Sequence, residues 1–325
     1  YVPKEEPGKQ IQTEIQLLGG NRMIFKCSDF DEGFFKLNEY LFDSQNYDYE
    51  RGGVTAHKFD VTMRSQSPKC TINLHDLNYT MNKWNMLNNL YIDPDELGVF
   101  LGRLLHYKNQ RKHQKYIPDI AMQFKSRRNV SGACLLNISL GFHGGKWYCF
   151  VTSRASELTC RWPMDLIFIN VLLRTIGDYL QIDYTKIEVS WHMISTYQSI
   201  TSMPYFLVMA GREDWFDEHT LDDLTPKSWQ WYTLKRYDKC YRDINQYSSY
   251  RVQRRPVEAY KMLKGEMPRK HIINTEDLTI NIVPFKGVLE EDYDEVDVLH
   301  MNKEILTDLI NQAKENDLFG KGGYR

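Results

Sequence analysis

A thiol, three arginines and a carboxylate lie within forty residues of one another in this chain. Cys134 stands in Gly132-Ala133-Cys134-Leu135-Leu136, Arg154 follows it by twenty positions and Asp165 by thirty-one. Ser126-Arg127-Arg128-Asn129 lies just upstream. A cysteine thiolate is a nucleophile, and a neighbouring arginine favours that ionised form. The planar guanidinium fork also binds phosphate. The set suits a phosphorylated, electrophilic substrate. The plainer reading is a buried structural cysteine beside a surface arginine, since free cysteine is among the most buried residue types.

Two apolar stretches must position these groups. Leu136, Ile138, Leu140 and Phe142 share one parity, the period of a half-buried strand. Gly144-Gly145 suits a tight turn that needs positive φ. Trp147, Cys149 and Val151 continue the alternation on the return strand. Cys134 is expected at the start of the first strand and Arg154 just past the end of the second. A hairpin then makes them neighbours. Residues 166–182 read as a buried helix, and Asp165 before it would serve as an N-cap. Elsewhere the pattern predicts a strand at Met23, a helix over 29–42, a strand over 55–63 and an amphipathic helix over 94–106. An apolar strand is expected over 205–209 and a terminal helix over 301–313.

The spacing resembles the thymidylate synthase family, which includes the deoxycytidylate hydroxymethylases. That family has a Pro-Cys-His nucleophile, a hairpin, then Gln-Arg-Ser-x-Asp, Gly-x-Pro-x-Asn and a long helix. Cys134 matches the nucleophile. Ser153-Arg154-Ala155-Ser156-Glu157 stands at the second motif and Arg161-Trp162-Pro163-Met164-Asp165 at the third. Val189-Ser190-Trp191-His192 resembles the family's Gly-Asp-x-His, with Ile194 where it has Tyr. Ser126-Arg127-Arg128 resembles the Ser-Arg-Arg that supplies phosphate ligands across the dimer interface. The resemblance covers residues 120–210 and does not extend to the C-terminal third.

The resemblance implies an α+β fold: a curved mixed sheet packed with helices, with one sheet face forming a homodimer core. It implies Cys134 as nucleophile and an early-helix catalytic Glu, for which Glu96 is the nearest candidate. A first-turn Glu also serves as dipole compensation. Arg51, Arg127, Arg128 and Arg154 become phosphate ligands, although Arg51-Gly52-Gly53 also reads as a plain turn. Asp165 and His192 fall on the substrate and Glu157 on the cofactor, 5,10-methylenetetrahydrofolate.

The departures bear on specificity. Asp165 replaces an Asn that holds the pyrimidine edge. A carboxylate accepts from a cytosine 4-amino group, and a shared proton serves N3; in the family this change marks cytosine-nucleotide enzymes. Leu135 replaces the His after the nucleophile, Ala155 loses a hydroxyl, and Glu157 is longer than Asp. The segment between Ser-Arg-Arg and Cys134 is shorter than in methylating members and lacks their Trp-Asn element. A smaller wall admits water, which favours a hydroxymethyl over a methyl product. The expected activity is C5 hydroxymethylation or methylation of a cytidine 5′-monophosphate, CMP or dCMP. The alternatives are a uridine-nucleotide (dUMP) enzyme, a non-catalytic nucleotide-binding dimer, or a nucleic-acid binder using the bases and tyrosines of 235–255.

Bulk properties narrow the class. A net charge of −2 over 325 residues marks no nucleic-acid binder. Six cysteines without paired spacing read as reduced thiols, and no metal-ligand spacing occurs. No apolar run reaches a membrane span and the N-terminal residues do not read as a signal peptide, so the expected place is the cytoplasm, or a host's cytoplasm for a viral protein. The expected division is a loose lead-in over 1–20, a catalytic domain over 21–285, and an acidic loop with a terminal helix over 286–325.

Overall fold

A computed structural model of the chain describes residues 16–18, 22–44, 47–50, 53–72, 81–110, 116–124, 134–159, 161–199, 206, 210, 275–282 and 299–319. The elements are β1 Gln16–Leu18, β2 Arg22–Cys27, α1 Phe30–Ser44, β3 Tyr47–Glu50, β4 Gly53–Ser65, α2 Met81–Tyr91, α3 Pro94–Gln110 and β5 Tyr116–Gln123. They continue as β6 Leu135–His143, β7 Lys146–Glu157, α4 Trp162–Leu180, β8 Glu188–Ser199, β9 Asn281–Ile282, β10 Leu299–His300 and α5 Lys303–Glu315. This is a mixed α+β arrangement. One sheet runs β1-β2-β4-β8-β7-β6-β5, with β3 paired to the start of β4. The β2–β4 and β7–β8 pairs are parallel and the other pairs of this sheet antiparallel.

Alternation decides which face is covered. Val61, Met63, Ile138, Leu140, Cys149, Val151, Trp191 and Met193 are buried and join the helix residues Phe30, Phe34, Leu101 and Phe168 in one apolar cluster. On the opposite face Phe150 and Ile194 stay 44% and 47% exposed. Helix α4 is buried on every side through Leu166, Ile167, Phe168, Ile169, Val171, Leu172 and Leu173. Burying each such side chain contributes about 1.5–3 kcal/mol. An all-round apolar helix belongs in the centre of a core.

The strands break step along one row. Between β7 and β8 the pairs Ser153–Met193 and Ala155–Ser195 form, and Arg154 and Ile194 between them do not pair. Between β4 and β8 the same gap falls at Asp60 and Ile194, and Asp60 adopts φ +52°. Between β6 and β7 the register shifts between Leu135 and Asn137. Across this row the inner face changes parity. Ser153 and then Ser156 are fully buried on β7, and Met193 and then Thr196 on β8. Irregularities of this kind bend a strand, and here they align across neighbouring strands.

Several expectations shift. Arg154 lies inside β7, which runs to Glu157, rather than beyond its end. Leu136 is half-buried while Leu135 is fully buried, because the register shift rotates the start of β6. Asp165 is not the N-cap of α4. Arg161 holds that position without a side-chain cap, and Asp165 sits in the first turn. Phe206 takes helical rather than strand geometry, with Ala210 N donating to its carbonyl at 2.8 Å; the rest of the expected strand over 205–209 lies outside the described residues. Gln16–Leu18, within the expected lead-in over 1–20, pairs with β2.

The terminal helix α5 starts from an Asn302 cap and buries Leu306, Ile310 and Ala313. Leu306 and Ile310 join the same core as the sheet. It lies so close to α3 that a Cβ on Gly98 would come within 2.5 Å of the Leu309 carbonyl oxygen. No helix among the described residues is long and apolar enough to cross a membrane.

Candidate active site

The β6–β7 hairpin sets the first two groups. Gly144 and Gly145 turn with φ of +57° and +88°. The two strands then run side by side to the kinked row. There Arg154 N donates to the Cys134 carbonyl oxygen at 2.8 Å. The expected neighbourhood of Cys134 and Arg154 is therefore present. The kink leaves the Arg154 side chain exposed, while Cys134 is only 8% exposed.

Tyr91, the last residue of α2, ties the cysteine to the buried helix. Its hydroxyl donates to Asp165 Oδ1 at 2.8 Å and accepts the Cys134 N–H at 3.2 Å. The ring packs against Phe124 and Phe168, with centroids 5.7 and 5.1 Å away. Asp165 is 2% exposed, and its Oδ2 has no hydrogen-bond partner among the described residues. A buried acceptor left in that state costs about 1–3 kcal/mol. Such atoms call for an explanation, and a ligand donor is one.

Electrostatics follow from this burial. Burial raises the Asp165 carboxyl to about 7, against the pull of the Tyr91 hydrogen bond and the Arg161 charge. The Cys134 thiol is pushed up to about 12, by burial first and then by Asp165. Arg161 and Arg154 act in the lowering direction, and Glu157 opposes them. The expectation that arginine lowers this thiol is thus right in sign for the pair and outweighed by desolvation. The thiol keeps its proton until something removes it.

The turn from β7 into α4 is braced on several sides. Glu157 is 6% exposed, and its Oε1 and Oε2 accept the N–H groups of Thr159 and Arg161 at 3.3 and 3.2 Å. Its place in the fold is this turn. Asn38 of α1 donates to the Leu158 carbonyl at 3.3 Å and accepts from Thr159 Oγ1 at 3.1 Å and Gln198 Nε2 at 2.9 Å. Pro163, one of the first residues of α4, presets its φ for the helix.

The remaining candidates fall apart in space or outside the described residues. His192 lies on the sheet face that carries Phe150 and Ile194, its Nε2 3.0 Å from Asp60 Oδ1. It pairs with Thr152, next to Ser153, which pairs with Leu135. Glu96 is exposed in the first turn of α3, where it complements the helix dipole. Arg51, Arg127 and Arg128 lie outside the described residues. Reasoning from sequence missed Tyr91 and gave Arg161 no role of its own. A signal for Tyr91 exists: Trp84, Asn88 and Tyr91 share one helical face at spacings of four and three, and all are buried. Polar groups on a buried face require partners.

Compared with known proteins, the chain matches no family model and no curated protein.

Proposed function

We propose that this chain is a thymidylate-synthase-like enzyme that hydroxymethylates, or methylates, C5 of a cytidine 5′-monophosphate, CMP or dCMP, through Cys134. The observation that carries this reading is the buried, half-satisfied Asp165 held by Tyr91 beside the Cys134 backbone. A cytosine edge answers it: the 4-amino group donates to the carboxylate, and N3 takes a shared proton. Arg154 binds the 5′-phosphate from the exposed side of the kink, with Arg127 and Arg128 supplied by a second copy.

The proton inventory supports the pairing. As Cys134 sulfur bonds to C6, its S–H bond breaks and the C5=C6 electrons move toward C4 and N3. N3 gains a proton, and C5 becomes enamine-like and nucleophilic. One proton leaves the thiol and one arrives at N3, so Asp165 as carboxylate relays it. The competent site therefore holds a single proton between Cys134 and Asp165.

In the resembling family 5,10-methylenetetrahydrofolate supplies the one-carbon unit. Glu157, the residue expected against it, engages backbone N–H groups with both oxygens. Both Glu157 oxygens are thus engaged in the turn, and a bound folate would supply the one-carbon unit while Cys134 and Asp165 activate C5. A dUMP enzyme is the second reading. The raised Asp165 value favours it, because a protonated carboxyl donates to uracil O4. The test is a mass-spectrometric product assay with CMP, dCMP and dUMP plus methylenetetrahydrofolate, alongside tritium release from C5. A hydroxymethyl or methyl product from a cytidine nucleotide, absent in Cys134→Ser, is expected. Nucleotide binding without C5 exchange would leave a non-catalytic dimer instead.

A further inference from the structure

Where the backbone ladder lapses, side chains cross it. The β4–β8 pairing skips Asp60 and Ile194, and the β7–β8 pairing skips Arg154 and Ile194. A bridge of three side chains spans β2, β4 and β8 at this row. His192 Nε2 donates to Asp60 Oδ1 at 3.0 Å, since a carboxylate only accepts. Arg22 Nε lies 3.6 Å from Asp60 Oδ2. Each Asp60 oxygen is thus held from a neighbouring strand.

Asp60 is also strained. Its φ of +52° lies in the left-handed region, which costs a residue with a side chain free energy and persists only where the surroundings hold it. The grip from both flanking strands is that hold. His192 pairs with Thr62 on β4 and Thr152 on β7, one position short of the row on the same face. Asp60 is its diagonal neighbour on one side and Arg154 on the other. The kink decides where Arg154 points. Ser153 and Ser156 are both buried on β7, and Arg154 between them is exposed. Strict alternation read back from Ser156 would turn Arg154 inward; read onward from Ser153, it would turn Ser156 outward and tilt the turn into α4. Only the kink lets Arg154 face out while the turn that carries Asp165 stays packed.

We propose that Asp60 and His192 are positioning residues: their bridge fixes the kink, and the kink sets Arg154 against the nucleotide phosphate. The inference rests on the reading of Arg154 as a ligand of the 5′-phosphate. His192 acts through the strand geometry and does not touch the substrate, which departs from the substrate contact that the sequence resemblance implies for it. Arg22 anchors the second Asp60 oxygen and keeps the carboxylate in place for His192.

The test is calorimetric titration of the full chain with CMP and dCMP, read as a mutant cycle over residues 60 and 192. Glycine adopts a positive φ without steric cost, so Asp60→Gly keeps the bend and no longer needs the bridge. His192→Ala should weaken nucleotide binding about fivefold or more. His192→Gln, which keeps a donor toward Asp60, should recover most of that loss. In the Asp60→Gly background His192→Ala should change binding by less than about twofold, because the coupling between the two residues is gone. A contact of His192 with the nucleotide, or with a second copy of the chain, would persist when residue 60 is glycine. Equal loss in both backgrounds, or no loss in either, therefore overturns the proposal. Binding by the parent that His192→Ala leaves unmoved overturns this inference alone. A parent that binds neither nucleotide overturns the reading of Arg154 and the inference with it. Matching circular dichroism and melting of the variants keep a lost signal apart from a lost fold.

Discussion

At the scale of single residues, the proposed function makes Asp165 the reader of the base and Tyr91 the residue that tunes its proton. Asp165→Asn replaces two acceptors by one acceptor and one donor. With its oxygen held by the Tyr91 hydroxyl, the amide would present only N–H to the base, so the cytosine 4-amino group would lose its acceptor, at about 1–3 kcal/mol. Turnover of the cytidine nucleotide should fall about tenfold or more and that of the uridine nucleotide should rise, each 1.4 kcal/mol being tenfold. An unchanged cytosine-to-uracil ratio of kcat/KM would remove Asp165 from base reading. Tyr91→Phe tests the proton inventory. With Asp165 near 7, the single-proton form of the site prevails above that pH, so the rate of C5 tritium release should climb as pH rises through about 7. The Tyr91 hydrogen bond holds the Asp165 value down, so its removal should move this limb to higher pH. A purely structural tyrosine would lower the rate at every pH and leave the limb where it was.

At the scale of elements, the kinked row and the α4 entry turn do the positioning. The row at Asp60, Arg154 and Ile194 lets one strand carry buried serines on both sides of an exposed arginine. Ser153 Oγ lies 3.2 Å from Ser156 Oγ and accepts from Trp191 Nε1 at 3.1 Å, so the change of parity is itself hydrogen-bonded. Asn38 fastens the turn that follows. Asn38→Ala would take the acceptor from the buried Thr159 hydroxyl, at roughly 1–3 kcal/mol, while Gln198 Nε2 keeps the residue 38 carbonyl at 3.2 Å. Urea unfolding should show that loss in the midpoint with little change in slope. The kcat should fall with it, because the turn carries Arg161 and Asp165. A variant as stable as the parent would mean that water or a rearranged partner replaces the amide.

At the scale of the whole molecule, the sheet face that carries the exposed Phe150 and Ile194 is the feature to explain. Phe150 and Ile194 stand on it with His192 and Asp60, while the buried parity of the same strands meets helices on the other face. A homodimer through this face is the arrangement the proposed function requires, since Arg127 and Arg128 would then serve the partner's Cys134 site. Mixing inactive Arg127→Ala and Cys134→Ser chains should restore activity in up to about a quarter of the sites, the random-pairing share for a two-fold dimer. Sedimentation should give twice the chain mass, and Phe150→Asp should shift it toward the single chain. An active monomer, or no recovery on mixing, would refute shared sites.

The sequence by itself determined what depends on local period. Alternation at two residues and the Gly144-Gly145 turn specified the hairpin, and the hairpin alone made Cys134 and Arg154 neighbours. The unbroken apolar run specified α4 as a central helix, and a terminal helix was legible over 301–313, while its Asn302 cap came from the structure. Tertiary structure decided the rest, because it sums contacts distant in the chain. Tyr91 reaches Cys134 across 43 residues and Asp165 across 74, and no local pattern encodes either meeting. The thiol's upward shift is a burial effect of the whole core, which outweighs the two arginines legible beside it. The bridge from Arg22 through Asp60 to His192 arises only when β2 and β8 flank β4, a choice of strand neighbours that no segment states alone.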